Sequence, residues 1–393
     1  MLYSLYEAEH AALVPLRFLA ELTRGWFGHP FSPFAHHPLS RRFAASSDLF
    51  LRVTDRYEKP QWNLGDAESE VVLEKPFCNL IRFRLGAPKP RKVLVVAPLS
   101  GHHATLVRDT VRALLAEHDV WVTDWSDARM VPLTAGPFHL DDYVDYVRDW
   151  IRMLSPDVHV ISVCQPTVPV LAAVSLMAAR GDVQPRTMTM MGGPIDARRS
   201  PTAVNNLARR KPYSWFEQNV IQRVPAKYPG YMRRVYPGFL QHLGFVAMNP
   251  DRHLNAHVDY YHKLIAGDGE SAAAHRRFYD EYNAVLDMPA EYYLDTVKMV
   301  FQDYALPKGR MYLREELVRP QAIREPALLT IEGELDDISG NGQTEAAHQL
   351  CLNIPRERRM HYVAAGVGHY GIFSGRRWRE MIFPRVRDFI YNS

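Results

Sequence analysis

Cys164 lies at a point of the sequence where a thiol could act as a nucleophile. It follows the apolar run 158–161, which predicts a strand, and it precedes Pro166, which suits the first turn of a helix. At such a strand–turn–helix corner the side chain stands clear of the sheet, and the partial positive charge of the helix N-terminus favours the thiolate. The G-x-S-x-G pattern of such corners reads Ser162-x-Cys164-x-Pro166 here, without either glycine. A buried structural thiol is therefore the competing interpretation.

An acid and a base follow this thiol in the order that a nucleophile at such a corner requires. Asp336 and Asp337 come directly after a predicted strand at 327–334, and His369 follows another at 360–366. His369 would take the thiol proton, and an aspartate behind it would fix its tautomer and stabilise the imidazolium. This order favours the catalytic interpretation of the thiol. The spacing does not separate the two aspartates, and we favour Asp336 because it is nearer the strand end.

Backbone N–H groups must stabilise the oxyanion that forms when a thiolate attacks an ester. The N–H of Gln165, directly after the nucleophile, is one predicted donor. The second donor is expected in the turn at the end of the stretch 93–102, so we predict the N–H of Ser100 or Gly101. Ser100 is a poor candidate for the nucleophile itself, because no corner motif surrounds it.

The elements that must position these residues alternate between strands and helices from about residue 91. Short β-branched runs predict strands, and longer stretches with helical periodicity separate them. The expected strands are 93–102, 120–125, 158–161, 187–194, 327–334 and 360–366, and the expected helices are 105–117, 138–154, a stretch that ends near 180, 343–352 and 375–391. This alternation predicts an α/β fold in which helices cover both faces of a mostly parallel sheet.

The alternation disappears between residues 195 and 320. That block has no strong strand signal and holds twelve of the chain's twenty tyrosines. We interpret it as a helical lid with an aromatic surface, inserted over the C-terminal edge of the sheet, where open α/β sheets bind ligands. The core then comprises residues 1–194, including an N-terminal region, and residues 321–393. A second domain with an ordinary aromatic core is the alternative interpretation.

Composition argues against several other classes of protein. The chain of 393 residues is 47% hydrophobic and 23% charged, with a formal net charge of +3, which suits a large globular domain and does not favour nucleic-acid binding. Its three cysteines lie far apart without a C-x-x-C pair, so we expect neither a disulfide framework nor a zinc site. The acidic residues near the start, and the charges that interrupt every apolar stretch, predict a cytoplasmic protein without a secretory signal or a membrane span.

Two histidine pairs could suggest a metal, but neither completes a ligand set. His102 and His103 lie beside the turn with the predicted oxyanion donors and are expected to shape the pocket wall. His253 and His257 have a zinc-compatible spacing but lack the glutamate of metalloproteases. The sequence also has no glycine-rich phosphate loop with a lysine. We therefore expect a site without a metal or a cofactor.

Four segments of the sequence resemble one known family, the intracellular polyhydroxyalkanoate (poly-3-hydroxybutyrate, PHB) depolymerases. The similarity is carried by "MLYSLYEAEHAAL", "SVCQPTVPVLAA", "EGELDDISGNGQT" and "GVGHYGIFSGRRWRE", and it covers nearly the whole chain. It implies an α/β-hydrolase with a lid that cleaves the ester bonds of stored polyester granules inside the cell. The family's nucleophile, acid and base fall on Cys164, Asp336 and His369. The implied partner is the granule surface.

Two alternatives remain open beside this interpretation. A polyhydroxyalkanoate synthase uses a similar cysteine but transfers acyl groups from coenzyme A thioesters; its cysteine is flanked by glycines, where Ser162 and Pro166 stand here. The other alternative is a granule-surface binding protein whose hydrolase machinery is inert. The sequence also leaves open the oligomeric state, the side-chain length of the substrate, the product size and whether coenzyme A replaces water as the acyl acceptor.

Overall fold

The computed structural model describes residues 2–29, 31, 33 and 37–393. The strands are β1 (Glu68–Lys75), β2 (Cys78–Arg84), β3 (Lys92–Val96), β4 (Asp119–Trp125), β5 (Val158–Val163), β6 (Thr187–Met191), β7 (Gln222–Arg223), β8 (Arg234–Tyr236), β9 (Met288–Pro289), β10 (Tyr312–Leu313), β11 (Glu316–Leu317), β12 (Ala327–Gly333) and β13 (Arg359–Ala364). The α-helices are α1 (Leu2–Gly28), α2 (Pro38–Val53), α3 (Arg108–Leu114), α4 (Leu140–Leu154), α5 (Thr167–Ala179), α6 (Ala203–Arg210), α7 (Tyr213–Asn219), α8 (Gly238–Met248), α9 (Pro250–Ala266), α10 (Gly269–Tyr282), α11 (Ala290–Thr296), α12 (Ala347–Leu350), α13 (Gly375–Arg377) and α14 (Phe383–Tyr391).

Eight of these strands form one central sheet in the order β1-β2-β4-β3-β5-β6-β12-β13. From β4 to β13 neighbouring strands are parallel, whereas β1 and β2 form an antiparallel extension beyond β4. The predicted α/β architecture with a mostly parallel sheet is therefore confirmed. The antiparallel pair is an addition, since the sequence patterns before residue 91 predict no strands.

Helices cover both faces of this sheet, and its strands β3, β4, β5, β6 and β12 are almost entirely buried, with mainly apolar side chains in the two cores. In β3, Leu94 and Val96 belong to the core with α4 and α5, whereas Val93 and Val95 belong to the core with α3 and α14. Helix α5 is buried over most of its length and has no polar face, as expected for a helix packed beneath a sheet. The loops at the C-terminal ends of the strands are thus anchored on tightly packed elements.

One predicted helix is much shorter than expected. The stretch 343–352 contains only the single turn Ala347–Leu350. The reason is a buried carboxylate: Glu332 accepts the backbone N–H groups of Thr344 (2.7 Å) and Glu345 (2.9 Å). A carboxylate that captures backbone donors offers the chain an alternative to helical hydrogen bonds, so the segment forms turns around Glu332.

Residues 195–320 lie between β6 and β12 and form what we call the insertion. It contains α6 to α11, a small sheet of β7, β8 and β9, and a hairpin of β10 and β11. Several of its large aromatic side chains are buried, namely Phe216, Tyr260, Tyr279, Tyr282 and Tyr292. The insertion is mainly helical, and its action as a lid stays a prediction.

Helices α1 and α2, which we call the N-terminal hairpin, are tied to the insertion by polar contacts. The Tyr3 hydroxyl donates to Asp287 Oδ2 at 2.8 Å. Further along, the Tyr260 hydroxyl donates to Asp48, and Arg52 pairs with Asp280. The hairpin and the insertion together form an upper layer beside the sheet. In the described ranges, none of the helices is both long enough and apolar enough to cross a membrane.

Candidate active site

Cys164 occupies a sharp turn between β5 and α5. Its φ of 67° lies in the left-handed region, which residues other than glycine rarely adopt. Such a conformation costs roughly 1–3 kcal/mol and persists only where its surroundings fix it. Here the Cys164 N–H donates to the Met191 carbonyl at 2.7 Å, and the Cys164 carbonyl accepts the Thr167 N–H at 3.2 Å. Cys164 stays partly exposed, whereas Cys78 and Cys351 are buried.

Two glycines after β6 leave room for their surroundings, Gly193 for this turn and Gly192 for the loops after β12 and β13. A Cβ on Gly193 would lie 2.5 Å from the carbonyl oxygen of Cys164. Gly192 has a φ of 56°, and a Cβ there would lie 2.6 Å from the side chain of Ile372. Sequence reasoning missed these two positions, although a Gly-Gly pair at a strand end signals a close approach of backbone.

His369 and Asp336 form a buried acid–base pair. Asp336 lies in the loop after β12 and His369 in the loop after β13, and His369 Nδ1 is 2.8 Å from Asp336 Oδ2. The other carboxylate oxygen, Oδ1, accepts the backbone N–H groups of Ile338 at 2.9 Å and Ser339 at 2.8 Å. These two bonds fix the direction of the carboxylate, so that Oδ2 is left for the imidazole.

The neighbouring aspartate points away from this pair. Asp337 is exposed, and its Oδ2 accepts a hydrogen bond from Asn249 Nδ2 at 2.7 Å. Of the two aspartates that the sequence left open, the structure therefore brings Asp336 to His369 and leaves Asp337 on the surface.

The electrostatics of His369 favour its protonated form. Burial lowers the pKa of the imidazole, but the charges of Asp336 and Cys164, with hydrogen bonding to both side chains, raise that pKa well above its ordinary value near 6.5. A protonated imidazole between a carboxylate and a thiol stabilises the thiolate. An imidazolium beside the Cys164 thiol is what a cysteine nucleophile needs, because the thiolate is its reactive form.

The predicted oxyanion donors have free backbone N–H groups. Within the described part of the chain, the N–H groups of Gln165, Ser100 and Gly101 donate to no acceptor. Gly101 has a φ of 113°, and its carbonyl accepts the N–H of Leu286 at 2.7 Å. Free N–H groups at the end of β3 and directly after the nucleophile are the arrangement that an oxyanion site needs.

Burial disfavours the charged form of the two histidines in the turn after β3. Burial lowers the pKa of His102 to about 4 and that of His103 to about 3. His102 Nε2 lies 3.0 Å from the Tyr282 carbonyl, which fixes the ring beside the turn with the predicted donors. His253 Nδ1 lies 3.0 Å from the Tyr279 hydroxyl. Among the described residues, no three His, Cys, Asp or Glu side chains gather into a metal-binding group.

A cavity of about 1420 Å³ lies between the N-terminal hairpin and the insertion. Its wall includes His103, which belongs to the same turn as Ser100, but not Cys164 or His369. The cavity therefore borders the turn with the predicted oxyanion donors and is distinct from the reacting groups.

Solved structures of lipases and esterases resemble this chain at a distance, and no curated protein sequence matches it. The monoacylglycerol lipase of Paleococcus ferrophilus has a TM-score of 0.47 at 12% identity, over 80% of this chain and 99% of its own. A thermophilic esterase from Thermogutta terrifontis has a TM-score of 0.45 at 13% identity, over 84% and 99%. A hydrolase from Pseudomonas aeruginosa has a TM-score of 0.45 at 13% identity, over 83% and 98%.

The sequence itself matches a family model described as "PHB de-polymerase C-terminus" over residues 192–393. The match covers just over half of the chain and includes Asp336 and His369, whereas Cys164 precedes it. The strand order and the sharp turn between β5 and α5 agree with the α/β-hydrolase architecture expected for that family. The chain therefore belongs to the PHB depolymerase family and is an ester hydrolase of the α/β-hydrolase superfamily.

Proposed function

We propose that this protein hydrolyses the ester bonds of PHB with Cys164 as nucleophile, His369 as base and Asp336 as the acid that orients the base. One observation carries the proposal: a buried imidazole, bonded to a carboxylate on one side, has its pKa raised by a cysteine on the other. That cysteine has the strained backbone of a nucleophile corner.

The first half-reaction forms an acyl-enzyme. The Cys164 thiolate attacks the carbonyl carbon of a chain ester, and the electron pair of the C=O bond moves to oxygen. The N–H groups of Gln165 and of Ser100 or Gly101 stabilise this oxyanion. The oxyanion collapses, the bond to the alcohol oxygen breaks, and His369 gives its proton to that oxygen. The products are a shortened chain with a free hydroxyl and an acyl-thioester on Cys164.

The second half-reaction regenerates the thiolate. His369, now neutral, takes a proton from water as the water oxygen attacks the thioester carbonyl. The tetrahedral intermediate collapses with cleavage of the C–S bond, and the thiolate leaves beside the imidazolium. The released acid is 3-hydroxybutyrate or a short oligomer of it.

The N-terminal hairpin offers a surface that fits an insoluble polyester granule. Side chains of both helices are large, apolar and more than half exposed, and we call them the apolar hairpin face: Leu5, Val14, Leu16, Phe18, Leu19, Leu22, Trp26, Leu39 and Phe43. Soluble monomers rarely expose so many apolar side chains on one element. An amorphous polyester is uncharged and apolar, so transfer of these apolar side chains from water to the granule surface would favour binding. The buried aromatic side chains of the insertion contribute no such surface.

Release of soluble hydroxy acid from protein-free amorphous PHB granules tests the proposed hydrolysis. The wild-type protein should release 3-hydroxybutyrate or its oligomers, and Cys164→Ala should lower that rate by about 10³-fold or more while still binding the granules. Cys351→Ala is the control, because that thiol is buried away from the site. If the wild type binds granules but releases no acid, the protein is an inert binding protein. Polymer formed from 3-hydroxybutyryl-CoA would instead indicate a synthase-like acyltransferase.

Sedimentation with the same granules tests the apolar hairpin face. The variant Phe18→Ser/Trp26→Ser removes two side chains that are 62% and 66% exposed, and Leu352→Ser removes one that is 61% exposed elsewhere. We expect the double variant to bind granules about 30-fold more weakly or worse, since covering each of the two aromatic side chains contributes about 1–2 kcal/mol. Hydrolysis of soluble p-nitrophenyl butyrate should be unchanged. Equal granule binding by the double variant and the wild type would rule out this face.

A further inference from the structure

Both segments that carry the predicted oxyanion donors are held by residues of the insertion. The Leu286 N–H donates to the carbonyl of Gly101 at 2.7 Å, and His102 forms an isolated antiparallel bridge with Val285. A Cβ on Gly101 would also approach the side chain of Val285 to 3.1 Å, so the turn has no room to move toward the insertion. The turn after β3 is thus fixed from above.

The second donor segment is fixed by one hydroxyl. Tyr292 in α11 is only 1% exposed, and its hydroxyl donates to Oε1 of Gln165. The other atom of that carboxamide, Nε2, is buried and has no hydrogen-bond partner among the described residues. The bond from Tyr292 is therefore what sets the direction of the Gln165 side chain, directly after the nucleophile.

The Tyr292 ring is itself held by an aromatic stack. Its ring lies 5.4 Å from that of Tyr143 at an interplanar angle of 13°, and Tyr143 stacks on Trp125 at 4.2 Å. Trp125 Nε1 donates to the Ala97 carbonyl at 2.9 Å, at the end of β3. One rigid column therefore connects the segment with Gln165 to the segment with Ser100 and Gly101.

We propose that Tyr292 is a positioning residue for the oxyanion site, acting through the carboxamide of Gln165. This inference rests on the proposed hydrolysis through Cys164. By holding the Gln165 side chain, the Tyr292 hydroxyl fixes the orientation of the Cys164–Gln165 peptide bond, whose N–H donates a hydrogen bond to the oxyanion. The insertion then completes the catalytic site, and its role extends beyond covering it.

The chemistry of the oxyanion predicts which rate depends on Tyr292. The charge on oxygen develops only in the transition state, so a misplaced N–H lowers kcat and leaves KM nearly unchanged. Alkylation of a thiolate by iodoacetamide forms no oxyanion, because the sulfur displaces iodide from a saturated carbon. It depends on the Cys164 thiolate, which His369 and Asp336 stabilise, and needs no oxyanion donor.

Tyr292→Phe, which removes only the hydroxyl, tests this inference. Tyr293→Phe is the matched control: it is the next residue of α11, and its ring packs on Phe216 and Tyr236. With p-nitrophenyl butyrate we expect Tyr292→Phe to lower kcat by about 10- to 100-fold, with KM within about twofold of wild type. Iodoacetamide should label the peptide that contains Cys164 at the wild-type rate, as measured by mass spectrometry. Tyr293→Phe should match the wild type in all three measurements.

Gln165→Leu tests the same contact from the other side, with thermal unfolding as the check that each variant folds. Because both changes break one contact, Gln165→Leu/Tyr292→Phe should be no slower than the slower single variant. Wild-type kcat in Tyr292→Phe, or an equal loss of hydrolysis and of iodoacetamide labelling, would overturn the positioning role. Absence of hydrolysis by the wild type would instead overturn the proposed function.

Discussion

The central sheet is held mainly by two apolar cores, whereas the junction between the sheet and the upper layer is built on buried charges. At that junction the Asp287 carboxylate accepts the hydroxyl of Tyr3 and the N–H of Gly238, each at 2.8 Å. The Arg129 guanidinium pairs with Asp127 at 2.9 Å, just after β4. The strands of the sheet, by contrast, contribute Val, Ile, Leu and Met side chains to two apolar cores.

The apolar cores and the buried hydrogen bonds contribute to the structure in different ways. Apolar packing is non-directional, so it makes the sheet rigid without dictating where a particular atom points. Hydrogen bonds to buried carboxylates are directional and therefore seat the upper layer in one register. We expect the sheet to carry the nucleophile, base and acid, and the upper layer to determine whether the oxyanion donors are in place.

Asp336→Asn attacks the sheet side of this comparison and should have the largest effect. An asparagine cannot stabilise the imidazolium and can impose the wrong tautomer on His369, so we expect kcat to fall by about 10²- to 10⁴-fold. Asp337→Asn is the matched control, one residue away and exposed, and should stay within about twofold of wild type. The measurement is steady-state hydrolysis of p-nitrophenyl butyrate. Equal losses in both variants would show that the loop as a whole is needed, not its buried carboxylate.

Arg129→Met attacks the upper layer. Burial, followed by the charge of Asp287, raises the pKa of Asp127, and Arg129 is the cation that opposes this. Removing it leaves the carboxylates without a counter-charge, which costs about 3 kcal/mol of the free energy of unfolding. Urea unfolding measures the loss. Arg84→Met, which breaks an exposed pair with Glu68, should change that free energy by no more than about 0.5 kcal/mol. A similar loss in both variants would remove the distinction between the junction and the surface.

The pKa of His369 gives a further test of the sheet side, with the smallest expected effect of the three. The charges of Asp336 and Cys164 raise its pKa above 6.5, so Asp336→Asn should lower it. Because the pKa in the folded state is raised, the contribution of this pair to stability is full below about pH 6.5 and is lost as the pH rises through the raised pKa. NMR of the ring measures the shift in both proteins. A pKa in the wild type at or below 6.5 would contradict the thiolate–imidazolium pair.

The placement of the three proposed catalytic residues could be predicted from the sequence, because the C-terminal ends of parallel strands lie at one edge of the sheet. Cys164, Asp336 and His369 each follow a predicted strand, and each lies in the loop after β5, β12 or β13. The choice between Asp336 and Asp337 was not accessible from spacing, since neighbouring residues differ only in direction. The backbone N–H groups that bind Asp336 Oδ1 decide it.

The contacts of the upper layer could not be predicted from the sequence, because they join distant parts of the chain. Nothing near Tyr3 predicts a bond to Asp287, and nothing near Gln165 predicts the hydroxyl of Tyr292. The many tyrosines of the insertion suggested an aromatic surface, yet several of its large aromatic side chains are buried, and large exposed apolar side chains also lie on the N-terminal hairpin. The composition of a segment gives its side chains, but which of them are exposed to solvent depends on how the folded chain packs.

Mass spectrometry of an acyl-enzyme tests the central claim most directly. The protein is mixed with p-nitrophenyl 3-hydroxybutyrate, quenched in acid within one turnover and digested. We predict a 3-hydroxybutyryl group on the peptide that contains Cys164. Hydroxylamine should remove this group, as it does from a thioester. The acyl-enzyme should accumulate in His369→Gln if that change slows the second half-reaction more than the first. Turnover with the acyl group on Ser100, or with no acyl group on any residue, would contradict the account.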